Sequence, residues 1–238
     1  MKTTIAIVRK ELRGYFNSPI AYVFLVLFAN AALLAFFRDL WGRNEATLRG
    51  LFDVLPLLLL LVVPALTMRL WSEERQLGTF EVLMTLPVRE RDAVLGKFLA
   101  SWVLLALALL LTAGAVVTAG WLGDLDPGPV TGGYAAAVLL GGSYLALGML
   151  ISALTENQIL AFLGALLACF ALWVIGEEFF LGLWPQPVAE TLAIFGSGAH
   201  FRSVARGVLD LRDLLYYGSL IVVCLGANMA VLEARKEG

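Results

Sequence analysis

Long apolar stretches separated by short polar segments dominate the chain. A helix that crosses a membrane needs roughly 17–25 mostly apolar residues, and six stretches are near or within that length. The pattern therefore predicts an all-α polytopic membrane protein in which residues 1–238 form a single transmembrane domain. The six predicted transmembrane helices cover residues 20–37, 51–70, 98–122, 134–154, 159–176 and 214–232.

The composition excludes an ordinary soluble domain, because 60% of the residues are hydrophobic and only 15% are charged. No basic cluster indicates a nucleic-acid partner. Cys169 and Cys224 lie within apolar stretches and are interpreted as small hydrophobic residues, not as a disulfide or a metal pair. The sequence has a single histidine, His200, so a histidine-based metal site is not expected.

The N-terminal residues 1–16 have the pattern of an amphipathic helix. Ile5, Val8 and Leu12 recur on one side, and basic residues occupy much of the other side. Such a helix is expected to lie flat at the membrane surface. A cleaved signal peptide is the alternative, but the basic part and the apolar stretch that follows are both too long for one.

The distribution of basic residues predicts the orientation. Six spans place both termini on one side of the membrane, together with the segment between the second and third spans. That side holds eleven of the 17 lysine and arginine residues. By the positive-inside rule it faces the cytoplasm, so we expect an inner-membrane protein with both termini cytoplasmic.

The longest charged segment, residues 73–97, separates the second and third spans. Its centre predicts a short helix over 79–86, which ends because Pro87 pushes the preceding residue out of the helical region. Thr79 is the predicted N-cap, and Glu81 suits the positive end of the helix dipole. Three residues at helical spacing form an apolar stripe: Phe80, Leu83 and Met84.

This segment resembles the first cytoplasmic loop of type-2 ABC exporter permeases, the ABC-2 family. The pattern E-x-x-x-G-T-x-E-x-L followed by L-P is carried by Glu74, Gly78, Thr79, Glu81, Leu83, Leu86 and Pro87. In that family the loop holds a coupling helix that docks on the ATP-hydrolysing subunit. The resemblance implies that the ATPase-docking residues are Glu74, Arg75, Gly78, Thr79, Phe80, Glu81, Leu83 and Met84. The alternative is a solvated loop between two membrane helices.

A second likeness lies in HFRSVARGVLDLRDLLYYGSL, residues 200–220, which resembles the ending of the gliding-motility-type branch of these permeases. The resemblance implies a bacterial exporter built from two permease subunits, identical or related, and two copies of an ABC ATPase subunit. ATP and magnesium would bind to that ATPase, since this chain has no phosphate-binding loop. We therefore expect no cofactor, no catalytic residue and no enzymatic activity in this chain itself.

Residues 177–212 are apolar but are interrupted by charged residues, prolines and glycines, which predicts re-entrant or interfacial helices like those that the family has between its last two spans. Glu177 and Glu178 are candidates for an outer gate or a cation site. The alternative is that they end the fifth span at the water interface. Four residues form an apolar stripe typical of an interfacial segment: Phe201, Val204, Val208 and Leu211.

Small residues recur four apart along the fifth span, which is a pattern of close helix association: Ala161, Gly164, Ala165 and Ala168. The family dimerises partly through its first and fifth spans, so these residues are candidate dimer contacts. The alternative is packing within one subunit. Glu156 and Asn157 form the turn before this span, near the place where the family has a second, smaller ATPase contact.

Two other functions remain open from the sequence. An ion-coupled secondary carrier would use Glu177 and Glu178, but such carriers usually contain internal repeats, and none relates residues 1–119 to 120–238. A membrane anchor for a cytoplasmic complex would transport nothing. An ATPase gene next to the gene for this chain would distinguish the permease from both.

Overall fold

The computed structural model describes residues 2–79, 89–207 and 210–236. Twelve α-helices and no β-strands occur in these three ranges. In chain order they are α1 (Lys2–Asn17), α2 (Pro19–Arg43), α3 (Arg49–Thr67), α4 (Ser72–Gln76), α5 (Glu90–Leu111), α6 (Ala113–Leu122), α7 (Pro127–Leu154), α8 (Gln158–Ile175), α9 (Glu178–Leu181), α10 (Gln186–Phe195), α11 (Ser197–Ala205) and α12 (Leu211–Lys236).

Six helical segments of the described chain are long and apolar enough to cross a membrane, which confirms the predicted all-α class with six spans. They are Ala21–Arg43, Arg49–Gln76, Glu90–Leu122, Pro127–Leu154, Gln158–Ile175 and Leu211–Arg235.

Several spans differ from their predicted outlines. The first extends to Arg43 and the fourth begins at Pro127, and the second and third spans also change in form. The second is followed by the separate short helix α4, which begins at Ser72. The third begins earlier than predicted, at Glu90, and divides into α5 and α6 at Thr112. The Thr112 hydroxyl donates to the carbonyl of Leu109 at 2.6 Å and pairs with the Tyr134 hydroxyl at 2.8 Å. A hydroxyl that bonds back to its own helix competes with the helical backbone ladder, so the break falls here.

The fourth span, α7, forms the centre of the bundle and packs against α3, α5, α8, α11 and α12. Glycines allow these close contacts. A Cβ atom at Gly148 would lie 2.9 Å from Cβ of Thr67, and one at Gly133 would lie 2.5 Å from the ring of Phe52. Small residues of α7 therefore let α3 approach closely along most of its length.

Gly148→Ala should test this packing. Its methyl group would overlap the Thr67 side chain, so we expect a loss of about 1–3 kcal/mol in the free energy of unfolding. Gly226→Ala in α12 is the matched control, because no atom lies within 4 Å of its would-be Cβ atom. Denaturation of the detergent-solubilised chain should show Gly148→Ala destabilised and Gly226→Ala unchanged or stabilised. Equal stability of the two variants would contradict the close α3–α7 contact.

Helix α1 is present as predicted, but a different side of it packs on the bundle. The face that contacts α5 carries Thr4, Ile7, Glu11 and Tyr15. These side chains are mostly polar, and each polar group has a partner on α5. The Thr4 hydroxyl donates to Asp92 at 2.8 Å, for example. The predicted stripe lies to one side of this contact, and Ile5 in it remains 60% exposed.

The chain between α8 and α12 forms the three short helices α9, α10 and α11. Helix α11 packs against α7, and Phe201 and Val204 of the predicted interfacial stripe are buried in the core. Glycines explain this placement, since the end of α11 approaches α7 backbone to backbone at Gly132 and Gly207. The expectation that these two stripe residues face the interface is wrong. Leu211 is 67% exposed at the start of α12, and Val208 lies outside the described residues.

Candidate functional site

One end of the bundle brings together α1, α4, the beginning of α5, the α7–α8 turn and the end of α12. We call it the loop end, because α4 ends there and the next described helix, α5, begins there. Helix α4 stops at Gln76, and Gly78 follows in the left-handed conformation with φ of 68°. A left-handed glycine is a common way to end a helix, because it has no Cβ to oppose that conformation.

A buried ammonium group lies at the centre of the loop end. Nζ of Lys97 is 2.8 Å from Oε1 of Glu74 and 3.1 Å from Oε1 of Glu11, and the Lys97 side chain is only 3% exposed. It also lies 5.0 Å from the centre of the Trp71 ring. Lys97 therefore holds α1, α4 and α5 together through two carboxylates and one aromatic face.

Lys10 of α1 reaches the same two carboxylates from the solvent side. Its Nζ is 3.4 Å from Oε1 of Glu11 and 3.6 Å from Oε1 of Glu74. Partial burial lowers the pKa of Lys10, but the two carboxylates outweigh this effect and the pKa is raised. Two lysines thus face two glutamates, which leaves this cluster electrically balanced.

Arg75 joins α4 to the turn between α7 and α8. Its guanidinium donates to the carbonyl of Ala153 at 3.1 Å and to Oε1 of Glu156 at 2.7 Å. Arg235, near the end of α12, donates to the carbonyl of Leu154 in the same turn at 3.1 Å. The turn that the sequence marked as a second ATPase contact is therefore attached to α4 and α12.

Serine hydroxyls fix the junction of α3 and α4. Oγ of Ser152 in α7 accepts from the backbone N–H groups of Trp71 and Ser72, each at 3.2 Å. These N–H groups belong to the first turn of α4, which leaves its donors without partners inside the helix. Ser152 thus supplies, from a neighbouring helix, the cap that α4 does not provide for itself.

The structure places half of the predicted docking residues. Glu74 and Arg75 turn toward the bundle, with side chains only 18% and 12% exposed. Gly78 and Thr79 are exposed, and the Thr79 hydroxyl donates to the carbonyl of Glu74 at 3.1 Å. Phe80, Glu81, Leu83 and Met84 lie outside the described residues.

Sequence reasoning did not find the roles of Lys97, Glu11 and Ser152, nor the exposed Leu77. A signal exists for Lys97, which interrupts a mostly apolar stretch of α5, but none exists for Glu11, which lies on a mostly polar face of α1. Leu77 is 69% exposed at the beginning of the loop and adds an apolar group to the surface there. No signal in the sequence distinguishes Ser152 from other serines in membrane helices.

The opposite, far end of the bundle holds the predicted gate residues. Helix α8 ends at Ile175, and Oε1 of Glu177 accepts from Arg202 of α11 at 2.7 Å. Glu178 begins α9 and is exposed. In this conformation Glu177 therefore links the segment after α8 to α11, whereas Glu178 is exposed.

The single histidine also ties the far end together. Its Nδ1 lies 2.6 Å from Oδ1 of Asp213, and its Nε2 lies 3.0 Å from the carbonyl of Ile194. Cys169 and Cys224 are buried and unpaired. Among the described residues, no group of three or more histidine, cysteine, aspartate and glutamate side chains is placed to hold a metal ion.

The candidate dimer residues of α8 divide into two pairs. Ala161 and Ala165 are completely buried against the chain's own helices, which is the intrasubunit packing that the sequence left as the alternative. Gly164 and Ala168 are half-buried. The side of α8 that is open to a partner or to lipid carries Leu160, Leu163, Leu167 and Phe170.

The fold defines a multi-pass membrane protein, with six apolar helices and a polar, loop-bearing end. The family model described as ABC-2 family transporter protein matches residues 5–194. The chain therefore belongs to the ABC-2 family, so it is a membrane permease component of an ABC transporter. Such a component is not itself catalytic and works with an ABC ATPase. None of the curated proteins matches this chain closely enough to count as a relative.

Proposed function

We propose that this chain is the permease subunit of an ATP-driven exporter and that its loop end receives a separate ATPase. The observation that carries the proposal is the construction of that end. Lys97 joins α4 to α1 and α5. Arg75 and Ser152 join α4 to α7. Arg235 joins α12 to the end of α7 beside them, and together these contacts form the base of the loop. Force applied to the loop would reach four helices at once.

The structure changes the roles proposed for two docking residues. Glu74 and Arg75 make their contacts inside the chain, so we assign them to the base of the loop. The surface offered to the ATPase then consists of Leu77, Gly78 and Thr79, together with the stripe predicted from the sequence: Phe80, Leu83 and Met84. This division separates residues that grip the partner from residues that transmit its movement.

Several finer features belong to the proposal. Two permease subunits, identical or related, would form the pathway above two ATPase subunits that bind ATP and magnesium, and ATP binding would bring the two loop ends together. The likeness of residues 200–220 supports the gliding-motility-type branch but identifies no cargo. The tie between Glu177 and Arg202 is consistent with an outer gate, since it would have to open for α11 to leave α8.

The proposal is tested by co-expression with an ABC ATPase encoded beside this chain. The detergent-extracted permease should retain the ATPase through purification. A variant in which residues 77–88 are replaced by a glycine-serine linker of equal length should lose it while still inserting into the membrane. Retention of the ATPase by the linker variant would contradict docking at the loop end.

Orientation gives a separate prediction. Gln76 is exposed at the loop end and Asp124 is exposed at the far end, between α6 and α7. A cysteine at position 76 should react with a membrane-impermeant maleimide only after the inner membrane is opened, and one at position 124 should react in intact spheroplasts. The wild-type chain is the blank, because Cys169 and Cys224 are both buried. The reverse labelling would place the loop on the wrong side for a cytoplasmic ATPase.

A further inference from the structure

The outer face of α1 has an unusual combination of groups for an exposed helix. A groove of about 420 Å³ runs along it. Its lining includes an apolar row and two basic side chains: Ile5, Val8, Leu12 and Phe16, with Arg9 and Arg13. We call this surface the α1 groove. It lies away from the face that packs on α5, so the contacts that fix α1 in place do not use it.

The charge of the α1 groove is uncompensated. Arg9 and Arg13 are one helical turn apart and exposed, and neither pairs with a carboxylate in the described part of the chain. The nearest acidic residue in sequence, Glu11, points the other way and binds Lys97. Two guanidinium groups thus face outward side by side, and this geometry favours a bidentate contact with phosphate.

The apolar row of the α1 groove continues into the membrane-facing surface. The ring of Phe16 meets the ring of Tyr22 edge-on, with centroids 6.1 Å apart. Tyr22 is 53% exposed at the beginning of the first span, and Val23 and Val26 extend the same exposed surface. Aromatic side chains are enriched where membrane and water meet. Arg9 and Arg13 are therefore expected to lie close to the lipid headgroup region.

We propose that the α1 groove binds an anionic phospholipid. Arg9 and Arg13 hold its phosphate, and its acyl chains follow Phe16 and Tyr22 onto the first span. An anionic headgroup fits better than a zwitterionic one, because the groove supplies two positive charges and no carboxylate for an ammonium group. The Glu11–Lys97–Glu74 contacts connect the helix that carries this site to α4.

The test is a binding titration on the full-length chain in mixed micelles, with phosphatidylglycerol or phosphatidylcholine labelled on the acyl chain. Wild type should bind phosphatidylglycerol at least about tenfold more tightly than phosphatidylcholine. The variant R9Q/R13Q should bind phosphatidylglycerol about 30-fold more weakly, since each surface cation contributes about a factor of five. The control R206Q/R212Q removes the same charge at the far end and should bind like wild type.

Further measurements distinguish the lipid from other possible ligands of the α1 groove, namely inorganic phosphate and the ATPase. The variant R9K/R13K keeps both positive charges but loses the paired N–H donors of the guanidinium groups. It should bind phosphatidylglycerol more tightly than R9Q/R13Q and more weakly than wild type. Such partial recovery would also show that substitution at these positions does not disrupt the site. Inorganic phosphate at equal concentration should not displace the lipid. The proposal is overturned by equal affinity for the two lipids, by unchanged affinity in R9Q/R13Q, or by displacement with inorganic phosphate. Loss of ATPase copurification in R9Q/R13Q with lipid affinity unchanged would assign the groove to the ATPase.

Discussion

Lys97→Met is expected to lower the free energy of unfolding by about 3–5 kcal/mol, because it leaves the carboxylates of Glu11 and Glu74 partly buried without their central cation. The second oxygen of Glu74 already has no hydrogen-bond partner within the described residues. Lys10 also reaches Glu74, but its ammonium group is 3.6 Å from Oε1 and its side chain is 66% exposed, so it replaces Lys97 only in part. Thermal or chemical denaturation of the purified chain in detergent measures the effect.

Lys10→Met is the matched control for this prediction. Lys10 reaches the same carboxylates, but its side chain is 66% exposed. Exposed ion pairs contribute only about 0–1 kcal/mol, so this variant should be nearly as stable as wild type. Adding Glu11→Gln and Glu74→Gln to Lys97→Met should restore part of the lost stability by removing the unpaired charges. Equal effects of Lys97→Met and Lys10→Met would contradict the central role of Lys97.

Phe80→Asp is expected to weaken binding of the ATPase more than tenfold. In the predicted stripe, Phe80 is the largest apolar group, and burying a phenylalanine contributes roughly 1.5–3 kcal/mol. Placing a carboxylate in the same contact adds a cost of desolvation. The dissociation constant of the ATPase from the detergent-solubilised permease is the quantity to measure.

The control for Phe80→Asp is the same substitution at Phe179. This residue is 84% exposed in α9 at the far end, so Phe179→Asp makes the same chemical change away from the loop. It should leave ATPase binding unchanged. If Phe80→Asp binds the ATPase as tightly as wild type, the loop is not the docking element. The resemblance of residues 74–87 to a coupling loop would then not indicate a shared function.

Much of the fold could be predicted, because the lengths of the apolar stretches determine which segments form membrane-spanning helices. A stretch long enough to span a membrane must be helical there, since lipid offers no partner for backbone groups. The predicted second and fifth spans accordingly lie close to α3 and α8. Local hydrogen bonds decide the finer divisions, and these depend on partners far along the chain. Thr112 breaks the third span beside Tyr134, a contact that hydropathy cannot show.

The site was predicted less completely, for a related reason. Charge at the loop end was expected to face the ATPase, yet Glu74 and Arg75 face inward because Lys97 and the carbonyl of Ala153 are within reach. The sequence shows which residues are charged, but which ion pairs they form depends on which helices pack against each other. Helix α1 shows the same limit, since its packed face was chosen by polar partners on α5 and not by the apolar stripe.

Contact between Leu77 and the ATPase tests the central claim most directly. Leu77 is 69% exposed at the start of the loop, and Trp121 is 89% exposed at the far end of the third span. A photoreactive benzoylphenylalanine at each position, in the assembled complex in native membranes, reports which end touches the partner. We expect a crosslink to the ATPase from position 77 and none from position 121. A crosslink from position 121 with none from position 77 would contradict docking at the loop end.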